Sequence, residues 1–407
     1  MLPVNMHIKE KSMKKKIVSS LLLMTVMATM LAGCKTSAPS SKKDTQAKSA
    51  NADQAAADRV AKLIDDIYVQ ERTDKTDEQC EKAKKAWDAL TDKQKSLVEG
   101  EYADPDYFGK DTGDASKDNP LNADGIKEKE ILVLSFGTSF NDSRVEDISK
   151  VESAVQEAYP DYSVRRAFTA QIIINHIKAR DNEAIDNVDQ AMERAVSNHV
   201  KELIVLPTHL MQGKEYDELK EQVNAYSDKI ESIKFAMPLL GEVGKTADTT
   251  NPDKETVAKA ITTAALEDAG YASTKEAISD KSAFVFMGHG TSHTAKITYL
   301  QMQAQMKKLG YDNVFIGTVE GEPEETSCEN IIKAVKEAGY KKVYLRPLMV
   351  VAGDHANNDM AGEEEDSWLS MFKASKAFDN VSTQIAGLGR LDAVEKQYIA
   401  HVADARK

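Results

Sequence analysis

The sequence predicts an α/β protein made of two duplicated halves with parallel sheets, preceded by a small helical module. From residue 131 onward, short apolar segments alternate with amphipathic helical segments, which is the pattern of βαβ units. The same order of segments occurs twice, on either side of a polar junction near 241–254. We therefore expect an N-terminal half over 129–245 and a C-terminal half over 246–407. The predicted strands lie at 131–136, 162–167, 202–206 and 232–236 in the first half, and at 283–287, 313–316, 343–348 and 381–385 in the second.

The repetition extends to individual residues. Segment 135–139 (SFGTS) corresponds to 288–292 (GHGTS), and Pro207 to Gly213 has the same spacing as Pro347 to Gly353. The copies differ at two corresponding positions: Phe136 stands in place of His289, and Glu215 in place of His355. Because a purely structural histidine should occur in both copies, this difference favours a functional role for the second half.

Three residues with metal-binding side chains follow successive predicted strands of the second half: His289, Glu320 and His355. The carboxyl ends of parallel strands meet at one edge of a sheet, where ligands bind in α/β proteins. Imidazole and carboxylate groups suit first-row transition metal ions. One such residue alone is more often a hydrogen-bonded loop residue, but three together predict a divalent metal site.

Other polar residues near strand ends leave alternatives open. His209 lies at the equivalent strand end of the first half, so it is either a substrate contact or a loop residue. Arg166 and Arg346 could bind substrate carboxylates in a bidentate manner or form structural ion pairs. The acidic run 363–366 is interpreted as a solvated first turn of a helix.

The N-terminal part has the composition of an exported chain. A basic segment, an apolar run too short to span a membrane and the sequence LAGC at 31–34 predict a lipoprotein signal peptide over 1–33 and lipidation of Cys34. This places the protein outside the cytoplasm, anchored by lipid to the bacterial membrane; either Met1 or Met13 is the start. A flexible tether (34–50), a helical module (51–109) and a polar linker (110–128) are expected to follow.

Charge and cysteine content argue against two classes of protein, those that bind nucleic acid and those held together by disulfides. Residues 1–33 carry five lysines and one glutamate, so the formal net charge of −13 becomes −17 from Cys34 onward. Such an acidic chain is an improbable partner for nucleic acid. Besides Cys34, the sequence has only Cys80 and Cys328, which lie in different predicted domains, so no disulfide framework is expected.

The longest motifs identify a family. The segments SFGTS, RAFT, MGHGTSH, VEGEP and PLMVVAGDHANNDM together resemble the anaerobic cobalt chelatases of the sirohydrochlorin cobaltochelatase type. The resemblance spans about 130–407. It implies two α/β halves facing a cleft and insertion of Co²⁺, the substrate metal, into sirohydrochlorin in cobalamin biosynthesis without an organic cofactor. It also implies His289, Glu320 and His355 as metal ligands, with the two histidines catalytic because one accepts a pyrrole proton.

The resemblance further implies contacts to the carboxylates of the tetrapyrrole. The residues that could supply them are Ser135, Thr138, Arg166, His209, Thr291 and Ser292. The family pattern is not matched at Gly241–Glu242–Val243, where a Ser/His pair is common. Two alternatives stay open: an iron or nickel chelatase, and a metal- or tetrapyrrole-binding lipoprotein that feeds an importer. Assembly into a homo-oligomer is compatible with each of them.

Overall fold

The computed structural model describes residues 41–407, with side chains from Ala50 onward. The predicted signal peptide and Cys34 lie outside the described residues. The prediction of a flexible tether over 34–50 is wrong for 41–50, because these residues belong to a helix that begins at Ser41. From there to Ile67 the chain contains neither Gly nor Pro and is rich in Ala, Lys and Gln, which favours a helix. Within the described residues, no helix is long and apolar enough to cross a membrane.

The chain divides into two compact units. The described part of the first ends at Lys110 and excludes residues 70–77. It is helical, as predicted, and its core contains Val60, Ile64, Cys80 and Trp87. The Asp65 carboxylate caps the turn after the last helix by accepting three backbone N–H groups at 101–103. The helices are α1 (Ser41–Ile67), α2 (Thr76–Asp88) and α3 (Asp92–Lys95).

The second unit contains two four-stranded sheets, and all strand pairs in both are parallel. The strand orders are 2-1-3-4 and 6-5-7-8, so the second sheet repeats the first. The predicted α/β fold with two duplicated halves is therefore confirmed. The strands are β1 (Lys129–Ser135), β2 (Ser163–Phe168), β3 (Glu202–Pro207), β4 (Ser232–Phe235), β5 (Ser282–Gly288), β6 (Val314–Thr318), β7 (Lys342–Pro347) and β8 (Asn380–Thr383).

Helices cover these sheets, and two π-helical segments interrupt the regular pattern. The first π-helix is Arg144–Ser149 and the second is Ala356–Met360. The α-helices of this unit are α4 (Asn141–Ser143), α5 (Lys150–Ala158), α6 (Gln171–Asp181), α7 (Val188–Ser197), α8 (Lys214–Asn224), α9 (Pro252–Ala269), α10 (Thr274–Ser279), α11 (Ile297–Lys308), α12 (Cys328–Glu337), α13 (Trp368–Ala374) and α14 (Asp392–Arg406).

The two halves share one core. Apolar side chains of β1 and β3 belong to the same buried cluster as those of β5 and β6. The C-terminal helix α14 packs on β3, β4 and α5 of the first half. The Tyr398 hydroxyl donates to the Thr208 carbonyl oxygen (3.1 Å), and the His401 Nδ1 lies 2.9 Å from the Met237 carbonyl oxygen. The two halves therefore pack as one unit, with one helix crossing from the second to the first.

The predicted linker 110–128 needs a correction around Asp118. This side chain is fully buried, and its carboxylate accepts hydrogen bonds from Arg144 Nε (2.6 Å) and from Arg166 Nη1 (2.6 Å). Ser149 Oγ also donates to it (2.7 Å). One acid of this segment therefore pairs with two buried arginines. From Asp111 onward it belongs to the α/β unit.

Candidate metal site

The strand order places the functional loops at one edge of the second sheet. β5 has β6 on one side and β7 on the other, so the chain changes its winding direction between β5 and β7. Ligands of α/β proteins bind at such a switch point, beyond the carboxyl ends of the strands. His289 directly follows β5, and His355 lies on the loop that follows β7. Both histidines therefore occupy this switch point, while Glu320 follows the neighbouring strand β6.

The two imidazole rings meet. Their centroids are 4.6 Å apart and their planes are inclined by 77°. The His289 Nδ1 lies 2.7 Å from the carbonyl oxygen of Gly290, a distance at which an Nδ1–H donates and the Nε2 lone pair stays free. The two rings are therefore close enough to bind one ion.

A carboxylate orients His355. The Asp359 Oδ2 lies 2.7 Å from the His355 Nδ1, one helical turn away on the second π-helix. A bond from Nδ1–H to an ionised carboxylate leaves Nε2 for a metal ion, as in carboxylate–histidine–metal arrangements. Burial opposes the charging of this ring, but Asp359, Asp354 and Glu320 outweigh it and raise the pKa of His355 above its ordinary value. The negative environment that raises this pKa also attracts cations.

Glu320 approaches the histidines because Gly290 leaves room for it. Gly290 has φ = +93°, and a side chain there would bring its Cβ within 2.8 Å of the Glu320 Cβ. The Glu320 N–H donates to the His289 carbonyl oxygen (2.9 Å), and the Gly290 N–H donates to the Tyr299 hydroxyl (3.0 Å). The backbone of Glu320 therefore lies beside His289, and its charge acts on His355.

Two acids at this site were missed from the sequence. Ligand atoms of Asp354, His355 and Asp359 lie within 4.8 Å of one another. The available signal was the spacing of His355 and Asp359, which are four residues apart and so lie on one face of a helical turn. Asp354 is exposed and could bind an arriving cation, whereas Asp359 holds the imidazole.

Three of the expected substrate contacts are buried in structural roles and are corrected. Ser135 is fully buried, with its hydroxyl 2.7 Å from that of Thr208. Thr138 is 3% exposed and accepts the Phe140 N–H through its hydroxyl (3.1 Å). Arg166 binds Asp118 and Glu152, so its guanidinium is not free for a substrate carboxylate. The ion-pair alternative also holds for Arg346, which pairs with Asp268.

The other expected substrate contacts remain accessible or unsatisfied. Ser292 is exposed, and half-buried Thr291 accepts the His293 N–H (3.1 Å). Both ring nitrogens of His209 are buried without a hydrogen-bond partner among the described residues. Burial lowers the pKa of His209, and the charge of Glu215 acts in the opposite direction. Burial raises the pKa of Tyr299, and the charge of Glu215 adds to this effect.

The fold and this site define a class: duplicated α/β proteins with two facing histidines at a sheet switch point. The cobalt chelatase (CbiK) family model matches residues 129–407. The chain belongs to that family, as the motifs had indicated.

Known relatives agree with this assignment. The chain is 29% identical over 278 residues to a sirohydrochlorin cobaltochelatase of Salmonella typhimurium, covering 68% of this chain and 96% of that protein. It is 30% identical over 252 residues to sirohydrochlorin cobaltochelatase CbiKC of Nitratidesulfovibrio vulgaris, covering 61% of this chain and 81% of that protein. The structure of SirB from Bacillus subtilis with Fe³⁺ is similar over 68% of this chain and 95% of that one, at 14% identity and a TM-score of 0.46. This last similarity is too low to add to the assignment.

Proposed function

We propose that the protein inserts Co²⁺ into sirohydrochlorin, as a lyase of the cobaltochelatase type. The observation that carries the proposal is the meeting of the His289 and His355 rings, 4.6 Å apart, beside Glu320. Membership of the cobalt chelatase family and the activity named for the two relatives support the choice of reaction.

The residues suggest how the reaction proceeds. His289, His355 and Glu320 bind Co²⁺ and leave positions open for the ring nitrogens of the tetrapyrrole. As the ion passes to the ring, two pyrrole N–H groups lose their protons. His355 is released at that moment and accepts one of them, because Asp359 stabilises its imidazolium form. The second proton leaves to solvent, so that one Co²⁺ replaces two protons.

The choice of metal belongs to the same proposal. Histidine and carboxylate ligands bind Co²⁺, Fe²⁺ and Ni²⁺. The order of affinity among these ions depends more on the ion than on the type of ligand, so the ligands alone do not identify the metal. We select Co²⁺ because the family and both relatives carry cobalt in their names. Insertion rates with the three metals, each at equal free concentration, test this selection.

A second candidate function follows from the N-terminal leader. A lipid anchor at Cys34 would suit a metal- or tetrapyrrole-binding protein that feeds an importer. The two functions differ in turnover. A chelatase forms many equivalents of cobalt-sirohydrochlorin per protein, visible as a changed absorption spectrum. A binding protein gives stoichiometric complexes only, and that result with all three metals would contradict the proposed enzyme.

A further inference from the structure

The first π-helix, in the N-terminal half, reaches the loop that carries His355 in the C-terminal half. Its Asp147 is fully buried. The Asp147 Oδ2 accepts the backbone N–H of Ala352 (2.9 Å), and the Oδ1 accepts Arg390 Nε (2.7 Å). Both partners belong to the C-terminal half. A carboxylate of one half thus holds the backbone of the other at a point three residues before His355.

The backbone carbonyl group of Ala352 is also bound by a residue of the N-terminal half. The Ser143 hydroxyl donates to the Ala352 carbonyl oxygen (2.6 Å). The Asn357 amide, just beyond His355, donates to the Gly353 carbonyl oxygen (2.8 Å) and so closes the loop on itself. The backbone N–H and carbonyl groups of Ala352 are therefore both fixed by the N-terminal half. The loop has little freedom to move relative to that half.

The C-terminal half leaves space for this carboxylate. A Cβ at Gly387 would lie 2.3 Å from the Asp147 Oδ2, and one at Gly389 would lie 2.1 Å from the Asp147 carbonyl oxygen. Burial raises the pKa of Asp147, which means that placing this acid here costs free energy that Arg390 and the Ala352 N–H only partly return. A polar contact so closely fitted and so near the metal site calls for a function beyond packing.

We propose that Asp147 and Ser143 are positioning residues for the metal ligand His355, which they hold through the backbone of Ala352. The proposal rests on the proposed function, because it assigns His355 to the metal. Metal ligands must be held closely, and groups that orient them affect affinity strongly. In this arrangement the N-terminal half, which lacks the histidines, supplies the support for one of them.

Co²⁺ binding without tetrapyrrole tests the proposal on the full chain. The dissociation constant and the visible absorption bands of bound Co²⁺ are measured for wild type, Asp147→Asn and Ser143→Ala at one pH. We expect Asp147→Asn to weaken binding about 10-fold and to change the bands, since disturbed ligand support has effects of this order. Ser143→Ala should act in the same direction with a smaller effect, and it removes too little to prevent folding.

Two comparisons separate positioning from general destabilisation. Glu130 is a fully buried acid of the same half, paired with Arg165 (3.0 Å) at the start of β1. Glu130→Gln should lower the melting temperature and leave Co²⁺ affinity unchanged. In a His355→Ala background, Ser143→Ala should have no further effect on Co²⁺ affinity, because the ligand it supports is gone.

The proposal is overturned if both variants bind Co²⁺ like wild type, or if Ser143→Ala acts equally with and without His355. Its failure is distinct from failure of the proposed function. Wild type that inserts cobalt while both variants keep full affinity contradicts only the positioning role. Wild type that never turns over while the variants still lose Co²⁺ affinity contradicts only the enzyme.

Discussion

At the scale of single residues, the absence of a side chain at Gly290 is as important as the ligands themselves. Its φ of +93° and the 2.8 Å approach of the Glu320 Cβ both demand glycine. Gly290→Ala should therefore weaken Co²⁺ binding about 10-fold or more by displacing Glu320. Gly310 is a matched control, because it has φ = +75° but nothing within 4 Å of an added Cβ.

Both alanine variants carry the backbone strain of a left-handed residue, roughly 1–2 kcal/mol. Equal melting temperatures with a loss of Co²⁺ affinity in Gly290→Ala alone would locate the effect at Glu320. Equal Co²⁺ affinity in the two variants would show that the approach of Glu320 does not matter to the metal.

Asp359 gives a second prediction at this scale. Asp359→Asn removes the charge that holds the His355 Nδ1–H, and an amide can present its NH₂ group instead. We expect Co²⁺ affinity to fall about 10- to 100-fold, the range for partners of metal-bound histidines. Asp366→Asn, at an exposed acid in the segment after the second π-helix, should leave the affinity unchanged. Isothermal titration of both variants with Co²⁺ tests this.

The positions of the proposed ligand residues could be predicted from the sequence, but the surroundings of several expected substrate contacts could not. His289 directly follows β5, Glu320 lies just after β6 and His355 lies on the loop after β7, so their place at this edge of the sheet follows from the strand pattern. Ser135 ends β1 and Arg166 lies near the end of β2, and the strand pattern could not show that Thr208 and Asp118 bind their polar groups. Those partners come from distant parts of the chain, which no local periodicity reveals.

At the scale of elements, the segment before β1 is fixed to the α/β unit by one acid. Asp118 is buried between Arg144 and Arg166, and a chain that begins at Asn122 would leave both arginines without it. Breaking a buried pair on one side costs about 3–5 kcal/mol. Asp118→Asn should therefore lower the free energy of unfolding by about this amount, as measured by urea denaturation at pH 7.

The same acid predicts a pH dependence. Burial opposes the ionisation of Asp118, but Arg166 and Arg144 outweigh it and lower the pKa from 3.8 to about 2. Because the folded-state pKa lies below the unfolded one, the stabilisation is complete above about pH 4 and is lost as the pH falls towards 2. Wild type should lose about 2 kcal/mol more than Asp118→Asn over this window. If the free energy of unfolding changed with pH in the same way in both proteins, this pH dependence would not come from Asp118.

The sequence predicted each strand of both sheets to within a few residues, because the apolar runs are short and glycine or polar turns bound them. It did not predict the two π-helices. The first exists where the buried side chains of Arg144 and Asp147 turn inward to separate partners, Asp118 and Arg390. These are tertiary contacts, and they outweigh the local preference for regular α-helix.

At the scale of the whole molecule, we propose that a lipid on Cys34 anchors the protein to the membrane from outside the cytoplasm. The support is the LAGC sequence after a basic and then apolar segment. Cys34→Ser should move the protein from the membrane fraction to the soluble fraction, as followed by immunoblot, with Co²⁺ affinity unchanged. A mutant that stays wholly with the membranes would exclude lipidation at this residue.

The central claim is that the His289–His355 pair holds the Co²⁺ that is inserted into sirohydrochlorin. Its most direct test is the initial rate of cobalt-sirohydrochlorin formation by wild type, His289→Ala and His355→Ala, followed by absorption under multiple-turnover conditions. Because each variant leaves the site one ligand short, we predict turnover by wild type and a rate at least about 100-fold lower in either variant, with unchanged melting temperatures. Equal rates in all three proteins would contradict the claim.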